Sequence, residues 1–311
     1  MHRRAATAAD SVFAPQLRDA FEDQAGPIKI LLRKRNSARP PVLFVPGSFS
    51  GAWIWRGNFL EYFHRAGFEV AAMSFGGHGQ RGWTLWRRGL QAYEWDLEAA
   101  IAQLPSPPIV IAHSLGGLIA QRVAYHRPLA ALGLLSPVPL HGVADSALAL
   151  AKKSPTSVLK LGAVALEPRL SRLVEAPLGI YSSRIGKEAR MAVTRRLQAE
   201  SPPALGQSPF PRVIRKEPQN CPLKYWGAEG DHIIPVSEVR RAALDMRAEA
   251  RIYPGMSHNM QCEPDWRDVA DDILTWIGSL ALGERHSPRK PRSPTGEIGQ
   301  ERSSPERPQR I

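Results

Sequence analysis

Short apolar segments alternate with helix-length amphipathic stretches along most of this chain, and that alternation limits the folds it can adopt. From Ile28 onward the apolar segments are bounded by Gly or Pro and read IKILLR, VLFVP, FEVAAMSF, IVIAHS, LGLLSP, LKYWG and ARIYPG. Stretches of helix length separate several of them, as in residues 90–104 and 235–248. Buried strands that alternate with helices build a mostly parallel sheet with helices on both faces. The sequence therefore predicts an α/β fold.

The alternation stops in residues of about 140–221, which contain Ala-, Arg- and Pro-rich helical pieces and no run typical of a strand. We expect this segment to be a helical insertion, a lid, within one domain that spans 26–282. For residues 1–25 the sequence predicts a loosely held N-terminal arm. Residues 283–311 are rich in Pro, Arg, Ser and Glu, a composition that cannot bury enough apolar surface to offset the entropy of ordering. A disordered basic tail is predicted there.

The net charge of +12 is concentrated in residues 141–221, where thirteen Lys and Arg residues against six acidic ones give +7. Residues 283–311 carry only +3. A basic surface suits contact with anionic lipid, an acidic substrate or nucleic acid, and it equally fits arginines that are simply solvated. No zinc finger, basic zipper or aromatic platform accompanies the charge, so we expect no nucleic-acid partner.

The chain has two cysteines, Cys221 and Cys262, and neither has a partner at metal-ligand spacing. We therefore expect no disulfide scaffold, no metal site and a reducing, cytoplasmic compartment. We also expect no cofactor. The first 25 residues contain no apolar core of signal-peptide length, and no run of about 18 apolar residues occurs anywhere. The sequence leaves the oligomeric state open.

The segment AHSLGG, residues 112–117, places a serine where a predicted strand gives way to a helix. The strand ends at Ser114 and the helix begins near Leu115. Such a turn projects the serine Oγ above the carboxyl edge of the sheet, and the small Gly116 and Gly117 let helix and strand approach closely. The N–H of Leu115, at the helix N-terminus, points at the same space and can stabilise an oxyanion. Taken alone, the motif also fits an ordinary strand-to-helix turn.

This turn resembles the nucleophile elbow, G-x-S-x-G, of the α/β-hydrolase family, with Ala112 at the first Gly position. A serine nucleophile needs a base, and the base needs a carboxylate; in the family they follow in the order Ser, acid, His. The loop GAEGDHIIP resembles the family's acid loop and contains Asp231, and His258 follows the next strand. The resemblance implies an α/β-hydrolase fold with Ser114 as nucleophile, Asp231 as acid and His258 as base.

Other interpretations of these positions stay open. His232 is a competing base because it neighbours Asp231 in sequence, and Glu229 is a second acid; the family pattern favours His258 and Asp231. Asp231 also fits a residue that caps the loop or the following helix, and His258 also fits a polar loop residue.

The loop VPGSFSGAWIW resembles the family's oxyanion loop, with Pro46 where the family usually has His. The resemblance implies that the N–H of Ser48 is an oxyanion donor beside that of Leu115. His78, in SFGGHGQ, resembles a residue that structures a loop in the family, so we assign it no chemistry.

A substrate pocket is expected beside the serine, lined by Phe49, Trp53 and His113. Further aromatic residues are predicted to lie in the surrounding loops, about half of them as ordinary packing; they are Trp55, Trp83 and Trp86.

The resemblance implies a serine hydrolase that cleaves a carboxylic ester, including a lipid-like ester, through an acyl-enzyme. Dehalogenases and epoxide hydrolases of this fold use an aspartate nucleophile, and Ser114 occupies that position here. Thioester or C–C bond hydrolysis, perhydrolysis and lyase activity are alternatives, although family lyases have a Lys near the acid loop and residues 227–235 contain none. A non-catalytic ligand-binding homologue is a further alternative, against which an intact Ser-Asp-His set argues. The expected partner is a small-molecule ester or acyl substrate.

Overall fold

The computed structural model describes residues 22–24, 30–35, 37–78, 85–167, 170, 176–211, 220–280 and 282. In these residues eight strands form one sheet in the order β1-β2-β4-β3-β5-β6-β7-β8. The strands are β1 (Glu22–Gln24), β2 (Ile30–Arg33), β3 (Val42–Val45), β4 (Val70–Met73), β5 (Ile109–His113), β6 (Ala131–Leu135), β7 (Leu223–Ala228) and β8 (Glu249–Tyr253). Strand β2 runs antiparallel to β1 and β4, and every other neighbouring pair is parallel. The predicted mostly parallel sheet is confirmed.

Helices follow most of the strands. The first, α1, runs through Trp53–Trp55, a π-helical turn at Arg56–Leu60 and Glu61–Arg65. The others are α2 (Leu90–Ala102), α3 (Ser114–Val123), α4 (Ala144–Lys153), α5 (Pro155–Leu166), α6 (Lys187–Thr194), α7 (Pro202–Gln207), α8 (Val236–Asp245) and α9 (Trp266–Ser279).

Apart from His113 at the end of β5, the central strands contain only apolar residues and glycine, because helices cover both faces of the sheet. All residues of β3, β4, β5 and β6 are buried. Alternate side chains of β3 enter opposite cores: Phe44 packs with α1 and α9, and Leu43 with α2, α3 and α8. Strand β8 lies at the edge and exposes Glu249 and Arg251, as expected for a strand with one free side. The site loops therefore leave a sheet whose central strands are covered on both faces.

Helices α4 to α7 lie between β6 and β7, in the segment 140–221 that was predicted to be helical. Its described residues contain no strand. Whether this segment acts as a lid stays a prediction.

Strand β1 differs from the expectation for the N-terminal arm, because Glu22–Gln24 pairs with β2. The sheet thus begins inside the segment 1–25, whose other residues lie outside the described part of the chain. The predicted tail, 283–311, also lies outside it.

Candidate active site

Four loops meet at the carboxyl edge of the parallel strands, and each contains one residue that the sequence singled out. Ser48 follows β3, Ser114 follows β5, Asp231 follows β7, and His258 follows β8. The carboxyl ends of parallel strands point the same way, so residues that are far apart in sequence converge there.

Ser114 lies at a sharp change of direction. The preceding residue, His113, is extended with φ −114° and ψ 140°, whereas Ser114 has φ +51° and starts α3. A positive φ is uncommon for a residue with a side chain, and such conformations cluster at functional sites. The turn is packed tightly. A Cβ on Gly116 would lie 3.0 Å from Val45 Cγ1 and would overlap the carbonyl oxygen of Pro46. Glycine is thus required at position 116, and the first turn of α3 rests against the chain that leaves β3.

Replacing Gly116 by Ala should disturb this contact. Because backbone of Pro46 has to move, we expect the free energy of unfolding to fall by about 1–3 kcal/mol, a typical overpacking cost. Activity per folded molecule should fall as well, since the displaced loop continues to Ser48. Urea unfolding and ester hydrolysis measure the two effects.

The matched control is Gly278→Ala in α9, where a Cβ would meet no atom within 4 Å. This change should be neutral or slightly stabilising, because alanine restricts the unfolded chain. A Gly116→Ala protein as stable and active as the control would contradict the close approach of Pro46.

Ser114, His258 and Asp231 form one hydrogen-bonded chain. The distance from Ser114 Oγ to His258 Nε2 is 2.9 Å, and from His258 Nδ1 to Asp231 Oδ2 it is 2.8 Å. Where a carboxylate oxygen of Asp231 accepts from Nδ1–H, Nε2 is left without a proton and can accept the serine hydroxyl. This is the tautomer that can take the serine proton. All three residues are buried, with 6%, 4% and 2% of their surfaces exposed in the order Ser114, His258, Asp231.

The other oxygen of Asp231 is fixed by the backbone. Oδ1 accepts N–H groups from Ile233, at 2.8 Å, and Ile234, at 2.9 Å. The loop after β7 thus closes on the carboxylate, which leaves Oδ2 directed at His258. Asp231 therefore caps its own loop and is at the same time hydrogen-bonded to the histidine; its role as the catalytic acid stays a prediction.

The two alternative residues point elsewhere. His232 lies beside Lys153, whose Nζ is 3.2 Å from His232 Nε2, and partial burial and this lysine lower the pKa of His232. Glu229 is exposed. Neither side chain takes part in the chain that joins Ser114, His258 and Asp231.

The backbone of His258 is held on both sides. Its N–H donates to the carbonyl of Gly179 at 2.9 Å, and its carbonyl accepts Nε2–H of His113 at 3.0 Å. The rings of His113 and His258 lie 4.7 Å apart. Complete burial, and then the neighbouring His258, lower the pKa of His113 well below 6.5. His113 is thus a neutral donor that supports the loop of His258.

The depressed pKa of His113 predicts a pH effect on stability. Below the ordinary histidine pKa of 6.5 the unfolded chain takes up a proton that the folded chain does not, so acid favours unfolding. Relative to His113→Gln, the wild type should lose up to about 1.4 kcal/mol of unfolding free energy for each pH unit below this value. Urea unfolding of both proteins between neutral and mildly acidic pH measures the difference. Parallel pH curves for the two proteins would contradict a neutral, buried His113.

A carboxylate that the sequence reasoning missed supports the same loop. Glu263 is fully buried and accepts the N–H and hydroxyl of Ser182, at 2.9 and 2.5 Å, and the N–H of Ser257 at 3.2 Å. Burial raises the pKa of Glu263, and these donors offset part of that cost. The bonds tie the residue before His258 to segment 140–221.

The expected pocket residues separate into two groups. Phe49 and Trp53 are partly exposed, and the guanidinium of Arg196 lies 4.6 Å from the ring centre of Trp53. His113 is only 2% exposed and supports His258, so it offers no open surface to a substrate, contrary to the pocket expectation. Trp55 is completely buried in the core.

The other two tryptophans that the sequence singled out are Trp83 and Trp86. Trp86 is 53% exposed, and Trp83 lies outside the described residues.

Among the described residues no group of three or more His, Cys, Asp or Glu side chains is arranged to hold a metal ion. Over the same residues, no helix combines the length and the apolar character needed to cross a bilayer.

The fold agrees with the family comparison. Residues 42–273 match the model of the alpha/beta hydrolase family. The matched region covers most of the chain, and the chain belongs to the alpha/beta hydrolase family. The α/β-hydrolase fold expected from the serine turn is thereby confirmed.

Individual proteins similar to this chain include a lipase and an esterase. A monoacylglycerol lipase of Mycolicibacterium smegmatis is 27% identical over 239 residues, which cover 70% of this chain and 81% of the lipase. A thermophilic esterase from Thermogutta terrifontis superposes with a TM-score of 0.61 at 18% identity, over 83% of this chain and 97% of the esterase. A bromoperoxidase from Bacillus anthracis superposes with a TM-score of 0.62 at 16% identity, over 83% of this chain and 98% of the bromoperoxidase. These structures share the fold.

Proposed function

We propose that this protein is a serine hydrolase that cleaves carboxylic esters, with Ser114 as nucleophile, His258 as general base and acid, and Asp231 as the residue that orients His258. The observation that carries the proposal is the continuous hydrogen-bonded chain from Ser114 Oγ through His258 to Asp231, at 2.9 and 2.8 Å. A serine hydroxyl is a weak nucleophile at neutral pH, and such a chain is what activates it.

In the acylation step, Ser114 Oγ attacks the ester carbonyl while His258 Nε2 takes the hydroxyl proton. The negative charge that develops on the carbonyl oxygen is stabilised by the N–H groups of Ser48 and Leu115. Gly47 supports this assignment, because a Cβ there would lie 2.8 Å from Ser114 Cβ, so the loop after β3 passes directly beside the nucleophile. His258 then returns the proton to the departing alkoxide, and the acyl group remains on Ser114.

Deacylation repeats these steps with water. His258 removes a proton from a water molecule that attacks the acyl carbonyl, and the same two N–H groups receive the charge. Collapse of the intermediate returns the proton to Ser114 Oγ and releases the carboxylic acid. Asp231 holds the correct tautomer and stabilises the imidazolium in both steps.

The substrate class we favour is a small-molecule ester with a lipid-like acyl group. The similarity to a monoacylglycerol lipase supports this choice. We further propose that segment 140–221 covers the acyl pocket as a lid, and its charge of +7 favours contact with anionic lipid. The cytoplasmic location stays a prediction.

The test combines a chemical probe with a substrate series. A fluorophosphonate should label the peptide that contains Ser114, and not Ser136, a buried serine with φ +39° whose Oγ contacts the sulfur of Met260. Nitrophenyl esters from acetate to palmitate, a monoacylglycerol and acyl-CoA thioesters then rank the substrates. We expect the esters to be cleaved fastest, with a preference for longer acyl chains. Faster cleavage of the thioesters would replace the ester assignment, and an unlabelled Ser114 would overturn the serine mechanism.

A further inference from the structure

A buried group of charged and polar side chains lies beside the loop after β3. Glu200, from segment 140–221, has a completely buried side chain, and so does His78. One oxygen of Glu200, Oε1, lies 3.1 Å from His78 Nε2 and accepts the hydroxyl of Tyr93 at 2.5 Å. These residues come from three separate parts of the chain, and none belongs to the proposed catalytic chain.

The hydrogen bonds around His78 define its charge. Its Nδ1 lies 2.7 Å from the carbonyl oxygen of Ser50, which can only accept, so Nδ1 bears a proton. Its Nε2 faces the Glu200 carboxylate, which also accepts. Burial alone would lower the pKa of His78, but the charge of Glu200 raises it; burial likewise opposes ionisation of Glu200, and His78 lowers the pKa of that carboxyl. The two residues form a buried ion pair.

This ion pair is attached to the backbone of the loop. Glu200 Oε2 accepts the N–H of Phe49 at 3.0 Å, and the N–H of Gln198 donates to the carbonyl of Phe49 at 2.8 Å. Phe49 has φ +61°, a conformation that is unfavourable for a bulky residue and persists only where the surroundings enforce it. Since the N–H of Phe49 belongs to the peptide that follows Ser48, the bond to Glu200 also fixes the plane of that peptide.

We propose that Glu200 is a positioning residue for hydrolysis, which through Phe49 and His78 holds the loop of Ser48 in the conformation that directs its N–H at the developing oxyanion. The inference rests on the proposed function. It gives segment 140–221 a second role beside contact with the acyl group: part of the oxyanion hole depends on a carboxylate from this segment. An oxyanion donor acts only in the transition state, so its misplacement lowers kcat more than it changes KM.

The test is Glu200→Gln, which keeps the shape of the side chain and removes its charge. We expect kcat for the best nitrophenyl ester to fall about 10- to 100-fold, which is below the full loss of an oxyanion donor, with KM changed less than about threefold. Rates are expressed per site that a fluorophosphonate labels, so that a loss of folded protein does not count as a loss of turnover. A purely structural role would lower the number of labelled sites and leave kcat per site unchanged.

Glu188→Gln is the matched control, because Glu188 lies in the same segment and is exposed. It should leave kcat per labelled site at the wild-type value. If Glu200→Gln also retains the wild-type value while Ser114→Ala is inactive, the positioning role is wrong and the proposed function stands. If Ser114→Ala stays active, the proposed function itself fails.

A second variant covers the case in which Glu200→Gln does not fold because His78 is left charged and unpaired. The double change His78→Gln with Glu200→Gln replaces both charges by amides, so no isolated buried charge remains. We expect this protein to fold and to show the same reduction of kcat per labelled site. Wild-type turnover in the double variant would overturn the proposal.

Discussion

Ser114→Ala is expected to lower kcat for ester hydrolysis about a million-fold, the size of loss seen when the nucleophile of a serine triad is removed. The reason is that the acyl-enzyme can no longer form, and the remaining oxyanion donors give only weak catalysis of direct water attack. The fold should persist, since alanine fills less space than serine. At φ +51° alanine is under the same steric restriction as serine, because both have a Cβ. Steady-state hydrolysis of the best nitrophenyl ester measures the loss, and urea unfolding checks the fold.

Ser136→Ala is the control for Ser114→Ala. Ser136 also follows a central strand and also has a positive φ, but its Oγ contacts the sulfur of Met260 and no histidine. Its substitution should leave kcat near the wild-type value. An active Ser114→Ala protein would show that the chemistry occurs elsewhere in the molecule.

Asp231→Asn should lower kcat about 10⁴-fold while it preserves the position of His258. The asparagine carbonyl oxygen can still accept the N–H groups of Ile233 and Ile234, so the loop stays closed. The amide nitrogen then faces His258 Nδ1 and donates to it, which leaves the proton on Nε2. In that tautomer His258 cannot accept the proton of Ser114. The kcat at neutral pH is the measurement.

Glu229→Gln separates the two acids that the sequence left open. This residue is exposed and two positions away from Asp231, so its change should leave kcat within a factor of about two. If Glu229→Gln caused the large loss and Asp231→Asn did not, the orienting role would belong to Glu229.

The sequence predicted the parts of the fold and site that local patterns determine. The apolar runs of β3 to β6 are continuous because both faces of these strands are buried, and this makes them recognisable without a structure. Ser114, Asp231 and His258 were singled out because each follows a recognisable strand and because their order resembles the Ser, acid, His order of the α/β-hydrolase family. Their mutual distances depend on the sheet order, which local patterns do not contain.

Local sequence patterns could not predict which carboxylates are buried. Glu200 lies 151 residues from Phe49, and Glu263 lies 81 residues from Ser182. A glutamate in a polar helical segment resembles a solvated residue, and only the packing of distant loops reveals that it is enclosed. His113 shows the converse: its position beside Ser114 suggested a pocket wall, whereas its ring is covered by His258 and Trp55.

The attachment of segment 140–221 to the sheet loops also limits how such a protein can be redesigned. Carbonyl groups of Gly179 and Ile180 accept the N–H groups of His258 and Asn259, so this part of the segment is continuous with the loop of the histidine. A chimera that imports the whole segment from another hydrolase would exchange these bonds and the contact of Glu200 with Phe49, together with the proposed cover of the acyl pocket. A graft limited to helices α4 and α5 leaves both attachments in their native form, so it would test the proposed contact of the segment with the acyl group without disturbing the loops of His258 and Ser48.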